Sequence, residues 1–78
     1  MTIRTSDNLG YTYNINVIGR SIRLVEYLPS DENPFILEGF SFTPQEYIKA
    51  FDLSGEELTA FQEMLKNIAM KIARMRNA

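Results

Sequence analysis

The chain contains no histidine, no cysteine and no tryptophan. Without histidine and cysteine, the commonest general base, the commonest metal ligand and the thiol nucleophile are all missing. A disulfide framework and a thiolate zinc site are excluded with them, so an oxidising compartment is not implied. The glycines Gly10, Gly19, Gly39 and Gly55 stand singly, so no glycine-rich loop can be drawn around a phosphate. Apolar runs are short as well. The opening Met1-Thr2-Ile3-Arg4-Thr5-Ser6-Asp7 lacks the apolar stretch of a signal peptide or membrane span. These absences point to a cytoplasmic protein with no membrane partner.

The carboxylates are numerous but unpatterned. Ten acids on a 78-residue chain single out no pair for acid and base roles. Asp31, Glu32 and Asn33 offer oxygen ligands, yet the spacing of a calcium loop and its closing glutamate are missing, so they read as a solvated turn. No serine or lysine has a marked activating partner. The expectation is a protein that is not an enzyme, with no catalytic residues, no cofactor and no metal.

The net charge of −2 conceals an uneven distribution. From Glu26 to Glu63 nine acids face Lys49 alone, whereas residues 64–78 carry Lys66, Lys71, Arg74 and Arg76 and no acid. The helix dipole accounts for acids at the start of a helix and bases at its end. The alternative is a basic tip for an acidic partner, although four bases fall short of a typical nucleic-acid footprint.

What is present is dominated by helix-start signals. Thr43-Pro44-Gln45-Glu46 and Ser54-Gly55-Glu56-Glu57 both read as capping boxes, with a hydroxyl at the cap and glutamate three residues on. Phe42 and Tyr47 flank the first as a hydrophobic staple, and Leu53 and Leu58 flank the second. The first box predicts a short helix from Pro44 to near Phe51. The second predicts a helix from Gly55 to about Arg76, about 33 Å long. Leu58, Phe61, Leu65, Ile68, Ile72 and Met75 form its apolar stripe, with Met64 and Ala69 widening it. Met70 stands on the opposite, polar side, where an adaptable side chain suits a partner surface.

Upstream, the periodicity changes to two. Thr5-Ser6-Asp7-Asn8 and Gly10 read as loop, so residues 1–10 are expected to form a flexible arm and residues 11–78 a single domain. Tyr11, Tyr13, Ile15 and Val17 alternate with Thr12, Asn14 and Asn16, which marks a strand with one buried face. Gly19-Arg20 suits a two-residue type II′ hairpin loop. That loop would pair Val17 with Ile22 and Ile15 with Leu24 on one face, and Asn16 with Arg23 and Asn14 with Val25 on the other. Glu26 is the misfit, an acid opposite Tyr13 on the inner face. After Pro29-Ser30-Asp31-Glu32-Asn33-Pro34, a third strand is expected over Phe35 to Phe42. Its apolar residues change phase, Phe35 and Leu37 pointing one way and Phe40 and Phe42 the other. A bulge at Gly39 would bring all four to the core.

The expected architecture is therefore α+β: a three-stranded antiparallel meander followed by a short and a long helix (βββαα), the long helix packed on one sheet face. The other face would be left open. It offers Asn14, Asn16, Arg23, Val25, Tyr27 and Ile36, and with Met70 these are the candidate protein-binding residues. Tyr27 and Arg23 belong to the residue types that most often dominate interface energetics. The functional expectation is a small protein-binding module, an inhibitor, adaptor or regulatory subunit whose partner is another protein. The alternative is nucleic-acid binding through Lys66, Lys71, Arg74 and Arg76, with Tyr27 available to stack on a base. Self-association into a homodimer is compatible with either. Small proteins of this plan serve many unrelated roles, inhibitors carried by phage and mobile elements among them, and the fold does not choose between those roles.

Overall fold

The computed structural model describes residues 1–77. The chain folds as α+β, with four strands rather than three: β1 Thr2–Ser6, β2 Thr12–Ile18, β3 Ser21–Pro29 and β4 Leu37–Phe42, followed by α1 Pro44–Ala50 and α2 Gly55–Asn77. The strands form one antiparallel sheet in the order β1-β2-β3-β4. The additional strand occupies residues that the sequence reading assigned to a flexible arm. Its alternation is faint because Ile3, opposite Ile15, is its one large apolar residue.

The turn between β1 and β2 is built by Asp7. This carboxylate, only 8% exposed, accepts the Leu9 and Tyr11 N–H groups on Oδ1 (3.0 Å each) and the Tyr13 hydroxyl on Oδ2 at 3.1 Å. An aspartate side chain that satisfies the backbone two and four residues on makes a turn locally, and the Tyr13 contact ties that turn to the core. Segment 7–10 is thus a designed connection.

The β2–β3 hairpin has the register deduced from its loop, pairing Val17 with Ile22, Ile15 with Leu24, Asn16 with Arg23 and Asn14 with Val25. Gly19 takes φ +61° whereas Arg20 stays at negative φ, as a type II′ turn requires. The β3–β4 pairing departs from expectation. It steps evenly from Leu24 opposite Phe42 to Pro29 opposite Leu37, with Tyr27 opposite Gly39, so there is no bulge at Gly39. The strand keeps its phase and leaves the misfits outside the core. Leu37 is 63% exposed, and Phe35, in the turn before β4, is 94% exposed. Gly39 serves another purpose, because a Cβ there would stand 3.2 Å from Cε1 of Tyr27. The glycine makes room for the tyrosine ring across the strand pair.

α1 begins as its capping box dictates: Glu46 N–H donates to Thr43 Oγ1 (3.1 Å) and Thr43 N–H donates to Glu46 Oε1 (2.9 Å). The staple is present too, with Phe42 and Tyr47 edge to face at 5.9 Å. α1 ends in a Schellman arrangement. Leu53 N–H donates to the Ile48 carbonyl (3.0 Å), Asp52 N–H to that of Lys49 (3.4 Å), and Asp52 takes φ +50°. The second box is not formed. Gly55 has φ +57° where α2 begins, and no hydrogen bond of the described residues joins Ser54 to Glu57. A left-handed glycine at that position turns the chain sharply into α2, which displaces the geometry a box needs.

The buried cluster comprises Tyr13, Ile15 and Val17 of β2, Leu24 of β3, Tyr47 of α1, and Phe61, Met64 and Ile68 of α2. Phe61, Ile15 and Leu24 lose essentially all solvent contact. One sheet face therefore shares its core with both helices, and the face bearing Asn14, Asn16, Arg23, Val25 and Tyr27 lies on the other side. The radius of gyration, 13.7 Å, exceeds the roughly 11.5 Å of a compact chain of this length. Every residue from Asp31 to Phe40, at the far end of the β3–β4 hairpin, is exposed.

Two stability predictions follow from these turns. Replacing Asp7 by Ala removes the acceptor for three donors and should cost about 3 kcal/mol of unfolding free energy in urea titrations. Asp52→Gly relieves a left-handed non-glycine residue and should raise stability by about 0.5–1 kcal/mol in the same measurement.

Candidate functional site

Two phenol–carboxylate pairs flank the core. Tyr13 donates to Asp7, as above, and the Tyr47 hydroxyl donates to Glu26 Oε1 at 2.8 Å. Glu26, the inner-face misfit, thus finds its partner on α1. The rings carrying these hydroxyls lie against each other and against Phe61, with centroids 5.3–5.8 Å apart. Burial first, then the hydrogen bond to a carboxylate and its negative charge, push both phenol pKa values well above the ordinary tyrosine value. A phenol with a raised pKa in the folded chain stabilises it fully below the unfolded value near 10, and that contribution disappears as pH climbs beyond it. Stability should therefore fall steeply above about pH 10. In Tyr13→Phe and Tyr47→Phe the alkaline slope of the urea midpoint should be shallower than in the parent.

These pairs tie the β1–β2 turn and α1 to the sheet. Each carboxylate accepts a phenol hydrogen bond, and a cleft of about 190 Å³ lined by Tyr11, Tyr13, Tyr47 and Glu57 among others opens beside the rings. A separate cleft of about 310 Å³ lies between the β2–β3 hairpin and the end of α2, lined by Gly19, Ile22, Ala69, Ile72 and Arg76 among others. Its charged groups are Arg20 and Arg76, so it lacks a carboxylate or hydroxyl nucleophile. Among the described residues no cluster of three acidic side chains could hold a metal ion, and no helix is long and apolar enough to cross a membrane.

The candidate protein-binding residues separate into three groups. Asn14, Asn16, Arg23, Val25 and Tyr27 do share the outer sheet face. Asn14, Asn16, Arg23 and Val25 are half-buried by their neighbours, and Tyr27 is 58% exposed. Arg23 is already engaged. Its Nε donates to Ser41 Oγ at 2.7 Å, one terminal nitrogen reaches the Ser41 carbonyl at 3.4 Å, and the same nitrogen lies 3.9 Å from Glu46 Oε1. Arg23 thus clamps β3 to β4 and to the start of α1. The Glu46 carboxyl is held below the usual carboxylate range, chiefly by the Thr43 N–H it accepts.

Ile36 falls outside β4, in the turn, and the unbroken register gives it the phase of Phe40, not of Tyr27. The outer-face apolar residue at that end is Leu37, which a bulge would have turned inward. Met70 is exposed on α2, on the side of the sheet where the helices lie, and joins none of the others. Tyr27 and Leu37, with Phe35, Ile36 and Phe40 around them, make the one large apolar exposure at the β3–β4 end. The sequence signal for it was present in the change of phase at Leu37.

The basic residues of α2 do not converge. At about 100° per residue Lys66, Lys71, Arg74 and Arg76 spread around the whole helix. Lys71 lies beside Ile3 and Thr5 of β1, whereas Arg76 donates a hydrogen bond to the Gly19 carbonyl on the hairpin. The chain matches no family model, no curated protein and no solved structure.

Proposed function

We propose that this chain is a small non-enzymatic protein-binding module, an inhibitor, adaptor or regulatory subunit, that docks a larger protein on the outer face of the sheet at its β3–β4 end. The supporting observation is the concentration of exposed apolar side chains there. Tyr27 stands over Gly39, with Leu37 and the almost fully exposed Phe35 beside it. Scattered apolar residues on a surface need no explanation, but a contiguous aromatic and aliphatic patch on a monomer of this size marks a place that another molecule covers. Tyrosine supplies large contact area at low entropic cost, which suits Tyr27 as the anchor.

Arg23 takes a supporting role. Because it spans Ser41 and Glu46, truncating it would loosen β4 as well as remove a contact, so a loss of binding in Arg23→Ala would report structure and interface together. The dispersal of Lys66, Lys71, Arg74 and Arg76 leaves nucleic-acid binding without a favouring observation.

The combined variant Tyr27→Ala/Leu37→Ser should lose capture of the partner from native-host lysate by at least about tenfold while keeping the far-ultraviolet spectrum and urea midpoint of the parent. Met70→Ser should capture normally. Retained capture by the double variant would remove this surface from consideration.

A further inference from the structure

Resting on that reading of the β3–β4 end as a protein-docking surface, we propose that the partner contributes an extended, basic segment that adds to β4 as a fifth strand. β4 is the last strand of the sheet, and the direction of its backbone groups can be deduced. Ser30 N–H donates to the Ile36 carbonyl at 2.8 Å. Bonded pairs alternate with non-bonded ones along an antiparallel ladder, so Leu28–Glu38, Glu26–Phe40 and Leu24–Phe42 are the bonded pairs. The two-residue hairpin gives the same answer from the other side. Ile18 and Ser21 close it as a bonded pair, which turns the even-numbered residues of β3 toward β4. Leu37, Gly39 and Ser41 consequently point their N–H and C=O groups at the open edge. The Ser41 carbonyl is reached by Arg23, which leaves the row of Leu37 and Gly39 for a visitor.

The two edges of the sheet are unlike. Val17 N–H donates to the Met1 carbonyl, so by the same alternation Thr2, Arg4 and Ser6 face the outer edge of β1, where a charged arginine discourages pairing. β4 carries no lysine, arginine or proline, and its Leu37 and Phe40, with Tyr27 of β3, are exposed apolar side chains on the two faces. Strand addition uses such a row of main-chain groups for affinity and the flanking side chains for selection.

Charge selects the occupant. From Leu24 to Ile48 the chain has five acids and no base. Glu26 is bonded to Tyr47, and Glu46 is bonded to Thr43 and lies near Arg23. Asp31 and Glu32 in the β3–β4 turn and Glu38 in β4 have no ion pair among the described residues. An incoming strand with alternating cationic and apolar side chains complements this surface, and an acidic one is repelled.

The experiment titrates the full chain at low salt with a blocked peptide of about seven residues, the length of an ordinary strand, alternating lysine and valine. Two controls accompany it: a glutamate–valine peptide, and the lysine–valine peptide N-methylated at alternate amides. The expected result is saturable binding of the first peptide alone. Amide exchange at Leu37 and Gly39 should slow by about tenfold or more, with Glu38 and Phe40 unchanged because they already bond to β3. Glu32→Lys/Glu38→Lys should weaken binding by about tenfold. Absence of saturable binding, equal binding of the N-methylated peptide, or protection centred on α2 would overturn the proposal. So would a free protein that scatters light as a dimer with Leu37 and Gly39 already protected, since a second copy would then hold the edge. If Tyr27→Ala/Leu37→Ser abolishes partner capture while the peptides do nothing, the docking surface stands and strand addition fails.

Discussion

The packing of Tyr47 against Phe61, with the Tyr47 hydroxyl held by Glu26, is the constraint on which the rest of this structure depends. The ring pair, 5.3 Å apart and nearly parallel, joins the short helix to the long one, and the hydroxyl joins both to β3. Burying a carboxylate beside aromatic rings is costly unless its acceptor capacity is used. Here a phenol does so at the edge of the core, and Tyr13 and Asp7 repeat the device at the other end of the aromatic cluster. Two interactions of the same kind therefore fix the start of the sheet and the return of the chain over it. What would be defects in isolation become position markers for α1 and for the β1–β2 turn.

With that side of the sheet committed to the core, a large part of the chain's unused apolar surface falls at the β3–β4 end. β3 is nine residues long, and helices cover it only toward its beginning: Leu24 is buried, whereas Tyr27, Leu28 and Pro29 are exposed. β4 begins beyond that cover, and its first residue, Leu37, has no core to enter. A chain of this size cannot bury every large side chain it carries. Met1, Leu9, Tyr11, Ile18, Met70 and Met75 are exposed singly elsewhere, and it is the grouping of Tyr27, Leu28, Phe35, Leu37 and Phe40 at one hairpin end that is informative.

How much of this could be read from the residues depended on whether the signal was local. The β2–β3 register followed from Gly19-Arg20 and the alternation of Tyr13, Ile15 and Val17, because a two-residue loop leaves no freedom of pairing. The Thr43 box and its Phe42–Tyr47 staple were equally local. β1 was missed because Thr2, Arg4, Thr5 and Ser6 carry little hydrophobic contrast, and its existence depends on the distant pairing with β2. The Gly39 bulge was inferred to rescue Phe35 and Leu37 for the core, and the chain instead leaves them in solvent. The Ser54 box failed for a related reason. A motif match describes hydrogen bonds that could form, and the left-handed turn at Gly55 decided otherwise.

Of the candidate surface, Tyr27 was legible and Leu37 was concealed by the presumed bulge. That single correction changes the chemistry of the open face. With Leu37 turned inward, the outer face would have centred on the amides of Asn14 and Asn16, which the structure shows half-buried in the middle of the sheet. With Leu37 turned outward, the apolar centre moves to the edge strand, where Gly39 and Leu37 also present unsatisfied backbone groups to the outside. A flat polar face would recognise a partner by side chains alone. An apolar edge with free main-chain donors and acceptors, with Asp31 and Glu32 in the adjoining turn and Glu38 on the strand, would recognise an extended backbone first and its side chains second. In this fold the unbroken phase of β4, which leaves Phe35 and Leu37 out of the core, is the same feature that would give the edge a capacity to bind.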